Sequence, residues 1–260
     1  MSDVELVEAA AALLRQAQDD RAPIEPLTVT FGDRLDVETA WRIQTHNRDL
    51  ALARGRLILG YKVGLTSAAM QQQMGVNEPD FGVLLDDMVI DDGATLRLSR
   101  FVQPRAEAEI ALVLSRDLGA GTTADDVIAA IHHAHPALEI IDSRIKDWRL
   151  SLVDTVADNA SSGAYVLGPA MELGGADLAD LEVRLRINDI EQASGLGSAA
   201  LGHPAAAAAW LADRLGRLGL TLTAGSVVLT GSLHASLPML HGQQVVADFG
   251  AFGSVSVAVD

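Results

Sequence analysis

Ten residues constrain this chain more than any others: Arg105-Ala106-Glu107-Ala108-Glu109-Ile110-Ala111-Leu112-Val113-Leu114. Read as a β-strand, their side chains alternate between two faces. The even face (Ala106, Ala108, Ile110, Leu112 and Leu114) is wholly apolar and demands a core. The odd face carries Arg105, Glu107 and Glu109 before turning apolar at Ala111 and Val113. Two carboxylates on one face repel each other unless something positive lies between them. A solvated strand edge is the bland explanation. Against it stands a third acid, Glu139, in Ala137-Leu138-Glu139-Ile140-Ile141, an apolar run where an unpaired charge is expensive. Asp142 follows Glu139 by an odd step and points to the opposite face. Three carboxylates from two buried strands are what a hard divalent cation needs. Oxygen donors alone favour Mg²⁺ or Mn²⁺, with positions left for water or substrate.

Composition narrows what surrounds this strand. The 260 residues are 49% hydrophobic, enough for one large domain or a domain plus a small cap. Mean hydropathy of +0.22 excludes general disorder. A net charge of −16 gives no attraction for a phosphate backbone or an anionic lipid surface, so neither nucleic acid nor membrane is expected as a partner. With no cysteine, disulfides, thiolate nucleophiles and zinc–cysteine sites are excluded, and a cytoplasmic location is expected. The apolar run Ala205–Ala212 is far short of a bilayer span. Asp3, Glu5, Glu8 and Arg15 interrupt the first twenty residues, so no secretory signal is read there.

The local patterns predict an α+β chain. Ser2 and Glu5 have capping-box spacing before an apolar stripe of Val4, Val7, Ala11 and Leu14. A second helix is expected from Asp36 to about Arg54, stopped by Gly55. Residues 1–55 thus form a helical cap and residues 56–260 a second unit. Strands are predicted at Arg56–Val63, Ala94–Leu98, Ala106–Leu114, Ala137–Asp142, Ala164–Leu167, Val183–Asn188, Ser226–Thr230, Gln244–Asp248 and Ser254–Val259. Asn188-Asp189 suits a hairpin turn. Helices are expected at about Ser67–Met74, Thr123–His133 and Pro204–Leu215. This is too irregular an alternation for a doubly wound sheet, and a mixed or mainly antiparallel one is expected.

Other chemistry has little support. His132, His133 and His135 read as a helix-end surface cluster, and no HExxH spacing exists. Gly60-Tyr61-Lys62-Val63-Gly64 fits neither phosphate-loop pattern, and no G-x-S-x-G elbow occurs. Taken alone, Lys62 is a strand-edge lysine and Asp80, between Pro79 and Gly82, a turn former.

A resemblance changes those last two readings. Gly60–Ser67, Glu78-Pro79-Asp80-Phe81-Gly82 and Pro104–Ala111 resemble, in order and spacing, the 2-keto-4-pentenoate hydratases of the fumarylacetoacetate hydrolase superfamily. So do Asp142-Ser143-Arg144-Ile145, Val156–Ser162 and Leu229-Thr230-Gly231-Ser232. The resemblance implies a mixed β-roll of the fumarylacetoacetate hydrolase C-terminal type, with the N-terminal helices packed outside. It implies Glu107, Glu109 and Glu139 as ligands of Mg²⁺ or Mn²⁺, and Lys62 and Asp80 as acid–base groups. Arg105, Ser161, Thr230 and Ser232 fall in segments that line the pocket in relatives. The implied reaction is hydration of 2-hydroxypenta-2,4-dienoate, a small 2-oxo acid in its enol form, to 4-hydroxy-2-oxopentanoate in aromatic meta-cleavage catabolism. Homo-oligomers are implied, as is association with a pathway decarboxylase or aldolase.

Alternatives share the frame. In the 4-oxalocrotonate decarboxylases the aspartate matching Asp80 is missing and a second glycine tends to stand at Ser232, so those two residues resemble a hydratase. Ala108 and Trp148 are similar to the five-carbon rather than the seven-carbon dienedioate branch. An acylpyruvate-type C–C hydrolase would call on His46 or the 132–135 histidines as base. A non-catalytic partner subunit would have no reason to keep all five acid, base and ligand residues.

Overall fold

The computed structural model describes residues 2–67, 71–72 and 77–260. Ser2 and Glu5 close the expected capping box on α1 (Asp3–Asp20), satisfying amides that the first turn leaves open. A short α2 (Leu27–Phe31) follows. Asp36 accepts from the Thr39 amide to cap α3 (Val37–Ala53). Leu6, Ala10 and Leu14 of α1 pack with Ala40 and Ile43 of α3, and this cluster also takes in Ile145, Val156 and Ala157. The N-terminal helices therefore share a core with the chain just beyond Glu139.

The strands β1 (Ile58–Gly64), β2 (Asp80–Leu85), β3 (Val89–Ile90), β4 (Thr95–Leu96) and β5 (Arg105–Leu114) come next. The single-turn α4 (Ala124–Ile128) leads into β6 (Ile131–Ile141). Then follow α5 (Leu152–Ala157), β7 (Ser162–Leu167), β8 (Glu182–Ile187), β9 (Ile190–Leu196) and α6 (Pro204–Arg217). β10 (Val227–Leu229), β11 (Leu237–Pro238), β12 (Gln244–Asp248) and β13 (Ser254–Val259) complete the chain. One sheet runs β2-β1-β10-β5-β6-β7-β3, with β11 added alongside β5, and a second runs β4-β13-β12-β8-β9. β1–β10, β3–β7 and β4–β13 are parallel and the other pairs antiparallel, so the sheet is mixed, as expected. Ala106, Ala108, Ile110, Leu112 and Leu114 all lie in the main core between the sheets and α6. No helix among the described residues is long and apolar enough to cross a membrane.

Several expectations need correction. The helix predicted over Thr123–His133 ends at Ile128, because Ile131–Ile141 is taken by pairing along the whole of β5. His132, His133 and His135 consequently stand on a strand rather than at a helix end, and His135 Nδ1 lies 2.9 Å from the Gly168 carbonyl oxygen. Most of the helix expected at Ser67–Met74 lies outside the described residues. Asn188 and Asp189, with φ of 50° and 66°, form the predicted turn between β8 and β9, the left-handed pair a two-residue hairpin needs. β2, β9 and α5 carried no strong local pattern; β9 is largely exposed and α5 has six residues.

Candidate metal centre

β5 and β6 pair with Glu107 opposite Glu139. Alternation then puts Glu107, Glu109 and Glu139 on one face, each offering an oxygen within 4.8 Å of the others. Ala108, between the first two, is fully buried on the opposite face. The remaining groups arrive from separate elements. β1 carries Lys62, whose Nζ stands 3.2 Å from Glu139 Oε1 and donates to the Ala160 carbonyl at 3.1 Å. Asp80 is the first residue of β2 and pairs with Gly64. Its carboxylate is buried and accepts from Thr155 Oγ1 of α5 at 3.3 Å, so Asp80 is no solvent-facing turn residue. A Cβ on Gly64 would fall 2.1 Å from Asp80 Oδ1 and 3.5 Å from Lys62 Nζ; only glycine lets the two strands bring these groups so close. The Gly231 amide donates to Glu109 Oε2 at 2.8 Å. Gly231 has φ of 110°, and a Cβ there would meet Thr66 Oγ1 at 2.3 Å.

The Ala160 carbonyl is presented by an unusual backbone. Asn159, Ala160 and Ser161 have φ of 55°, 49° and 55°, a left-handed run that L-residues resist. Buried Arg144 holds it in place. Its Nε pairs with the Asp158 carboxylate, and its Nη1 donates to the carbonyls of Asp142 and Ser162 at 2.6 and 2.9 Å. The Asn159 amide is clamped to Val83, accepting from its N–H at 2.8 Å and donating to its carbonyl at 3.0 Å. On the cap side, Gln44 Nε2 donates to the carbonyls of Phe81 and Val156 at 3.0 and 3.2 Å.

The other residues that the resemblance implies are distributed unevenly. Arg105, two residues before Glu107 on the same face, donates from Nε and Nη2 to Ser236 Oγ and its carbonyl, each at 2.8 Å, and lies over the Trp148 ring. Ser161 Oγ is buried with no hydrogen-bond partner among the described residues. Thr230 and Ser232 donate their hydroxyls to the Ile110 and His234 carbonyls at 2.8 and 2.6 Å, so both are engaged with the backbone. Neither His46 nor the 132–135 histidines join the cluster of possible metal ligands among the described residues.

Electrostatics show what this arrangement lacks. Burial is the main reason Asp80 and all three glutamates sit above their ordinary carboxyl range, Glu109 well above it; mutual repulsion adds to this for Glu107 and Glu109, with Glu107 pushed up to about 7. Burial pulls the Lys62 ammonium down, but Glu139, Asp80, Glu107 and Glu109 outweigh it and hold the group above the usual lysine value. One ammonium faces four carboxylates, and Asp80 Oδ1, Glu109 Oε1 and Glu139 Oε2 have no hydrogen-bond partner among the described residues. Uncompensated buried charge of this kind is costly. Oxygen-only donors with unpartnered atoms fit a hard dication.

The fold and the oxygen-only cluster define a class: β-roll proteins whose chemistry is organised by a carboxylate-held divalent cation. The match of residues 58–260 to the model described as "Fumarylacetoacetate (FAA) hydrolase C-terminal" shows that the chain belongs to the fumarylacetoacetate hydrolase family. It is 44% identical to 2-keto-4-pentenoate hydratase 2 of Dechloromonas aromatica (strain RCB), over 96% of this chain and 95% of that protein. It is 41% identical to the 2-hydroxyhexa-2,4-dienoate hydratase of Comamonas testosteroni, over 99% and 98%. Its structure superposes with a TM-score of 0.95 on the 4-oxalocrotonate decarboxylase of Pseudomonas putida G7 complexed with magnesium and adipate, at 34% identity over 100% and 99% of the two chains.

Proposed function

We propose that this protein is a metal-dependent hydro-lyase that adds water to 2-hydroxypenta-2,4-dienoate, giving 4-hydroxy-2-oxopentanoate in aromatic meta-cleavage catabolism. The observation that carries the reading is the convergence of Glu107, Glu109 and Glu139 beside the buried Lys62–Asp80 pair. The hydratases at 44% and 41% identity support water addition. Glu107, Glu109 and Glu139 would hold Mg²⁺ or Mn²⁺. The bound cation supplies Lewis acidity and a fixed anchor for a 2-oxo acid.

The chain's own groups then move protons. The dienol gains a proton at C5 and gives up its 2-hydroxyl proton, becoming an α,β-unsaturated ketone. Water adds at C4, and a proton returns to C3. Asp80, held above the ordinary carboxyl range by burial, exchanges these protons, as a group titrating closer to neutrality should. Lys62 places a fixed positive charge where enolate charge develops. Arg105, Ser161, Thr230 and Ser232 line the substrate pocket, with Ser161 Oγ the hydroxyl among them that has no partner among the described residues. Residues 1–55 act as a helical cap on the catalytic roll of residues 56–260. In the same reading the protein works in the cytoplasm as a homo-oligomer, and associates with a decarboxylase or aldolase of its pathway.

The test is an ultraviolet assay of purified protein with the dienol and Mg²⁺, with and without chelator. Metal-dependent loss of the chromophore without CO₂ supports hydration. CO₂ release from 4-oxalocrotonate, the activity named for the structural relative, would replace it with decarboxylation, and pyruvate from an acylpyruvate with C–C hydrolysis.

A further inference from the structure

A cavity of about 490 Å³ lies between α1, α3 and the segment around Asp158–Gly163, away from the glutamate cluster. It spans the seam where the family match begins at residue 58. Seven of the chain's nineteen lysines and arginines line it, against four aspartates. In a protein of net charge −16 such a concentration is unexpected.

Three of those aspartates are already engaged. Asp158 pairs with Arg144, Asp142 accepts from the Val102 and Gln103 amides, and Asp87 pairs with Arg56; Asp19 remains on the lining. Four guanidiniums have no carboxylate partner among the described residues. Arg15 donates to Asn47 Oδ1, Arg21 Nε to the Ser99 carbonyl at 3.2 Å, and Arg100 Nη2 to the Asp87 carbonyl at 3.1 Å. Arg54, at the C-terminal end of α3, is exposed and its side chain makes no hydrogen bond or ion pair among the described residues. Arginine forks match carboxylate and phosphate oxygens, and the volume suits a small molecule.

We propose that this cavity is a binding site for a small multivalent anion, phosphate or dicarboxylate, and that its occupant lowers turnover through Arg144. An anion beside that guanidinium competes with Asp158 for it. Arg144 and Asp158 brace the left-handed run whose Ala160 carbonyl accepts from Lys62, so slackening the pair displaces Lys62's partner. The binding stands on the cavity alone; the effect on turnover rests on the role of Lys62 proposed above.

The experiment titrates the full chain with inorganic phosphate and with succinate by calorimetry, at fixed ionic strength and fixed free Mg²⁺. Arg21→Ala/Arg54→Ala, two exposed positions that are not part of the glutamate cluster, is run in parallel. One saturable site per chain is expected, weakened ~100-fold in the double variant, about tenfold for each guanidinium removed. No saturable binding of either anion, or equal binding by the double variant, overturns the site. In steady-state assays the anion should lower kcat by about fivefold at saturation, and the double variant should be insensitive. A rise in KM alone would place succinate in the substrate pocket instead. Binding with kcat unchanged would overturn the coupling. If no dienol is turned over at all, calorimetry still decides the site, and the failure belongs to the proposed reaction.

Discussion

At the scale of single residues, the centre is a set of like charges held together against their own repulsion. Glu109→Gln should therefore act with opposite signs on two measurements. It removes one of the three proposed ligands, so divalent-cation affinity measured by calorimetry should fall by ~100-fold or more, since even outer partners of metal ligands are worth 10–100-fold. It also removes a buried charge repelled by Glu139 and Glu107, and the amide oxygen can still accept from Gly231. The metal-free variant should melt higher than the metal-free parent. Asp80→Asn should lower kcat by ~10²–10⁴-fold while metal affinity stays put; unchanged turnover would remove Asp80 from the chemistry. The glutamates were legible because strand alternation is a strong local pattern and Glu139 interrupts an apolar run. Thr155, the Gly231 amide and the Ala160 carbonyl were not. Two of these are backbone groups with no side-chain signature, and all three reach the site through tertiary contacts.

At the scale of elements, close approach decides function. β1 and β2 meet at Gly64 and Asp80 with no room for a Cβ. Gly64→Ala should thus displace the Asp80 carboxylate, lowering kcat far more than it lowers Tm. α3 reaches the same strand through Gln44. Gln44→Leu leaves the Phe81 and Val156 carbonyls unpaired, which costs about 1–3 kcal/mol each when buried; denaturant unfolding reads the loss. α1, α3 and the edges of β12 and β13 follow from caps and periodicity. The local pattern overextends α4 because pairing with β5, invisible in that pattern, claims Ile131–His135 for the sheet.

At the scale of the molecule, the cluster makes stability depend on pH and metal together. Glu107 is pushed up to about 7 from 4.5 in the folded chain. Between those values the metal-free fold holds a proton that the unfolded chain has released, so stability should fall as pH climbs through that window. A bound dication displaces the proton and reverses the trend. Melting curves from pH 5 to 8, with Mg²⁺ and with chelator, should diverge as pH rises; parallel curves would show that no cation engages the cluster. The alternation along β5 carries one more consequence. Deleting a single codon between Ala106 and Ile110 would turn one end of that strand over, driving a glutamate into the interior and a methyl group toward the substrate. Descendants of this gene can exchange letters there, but they cannot change the count.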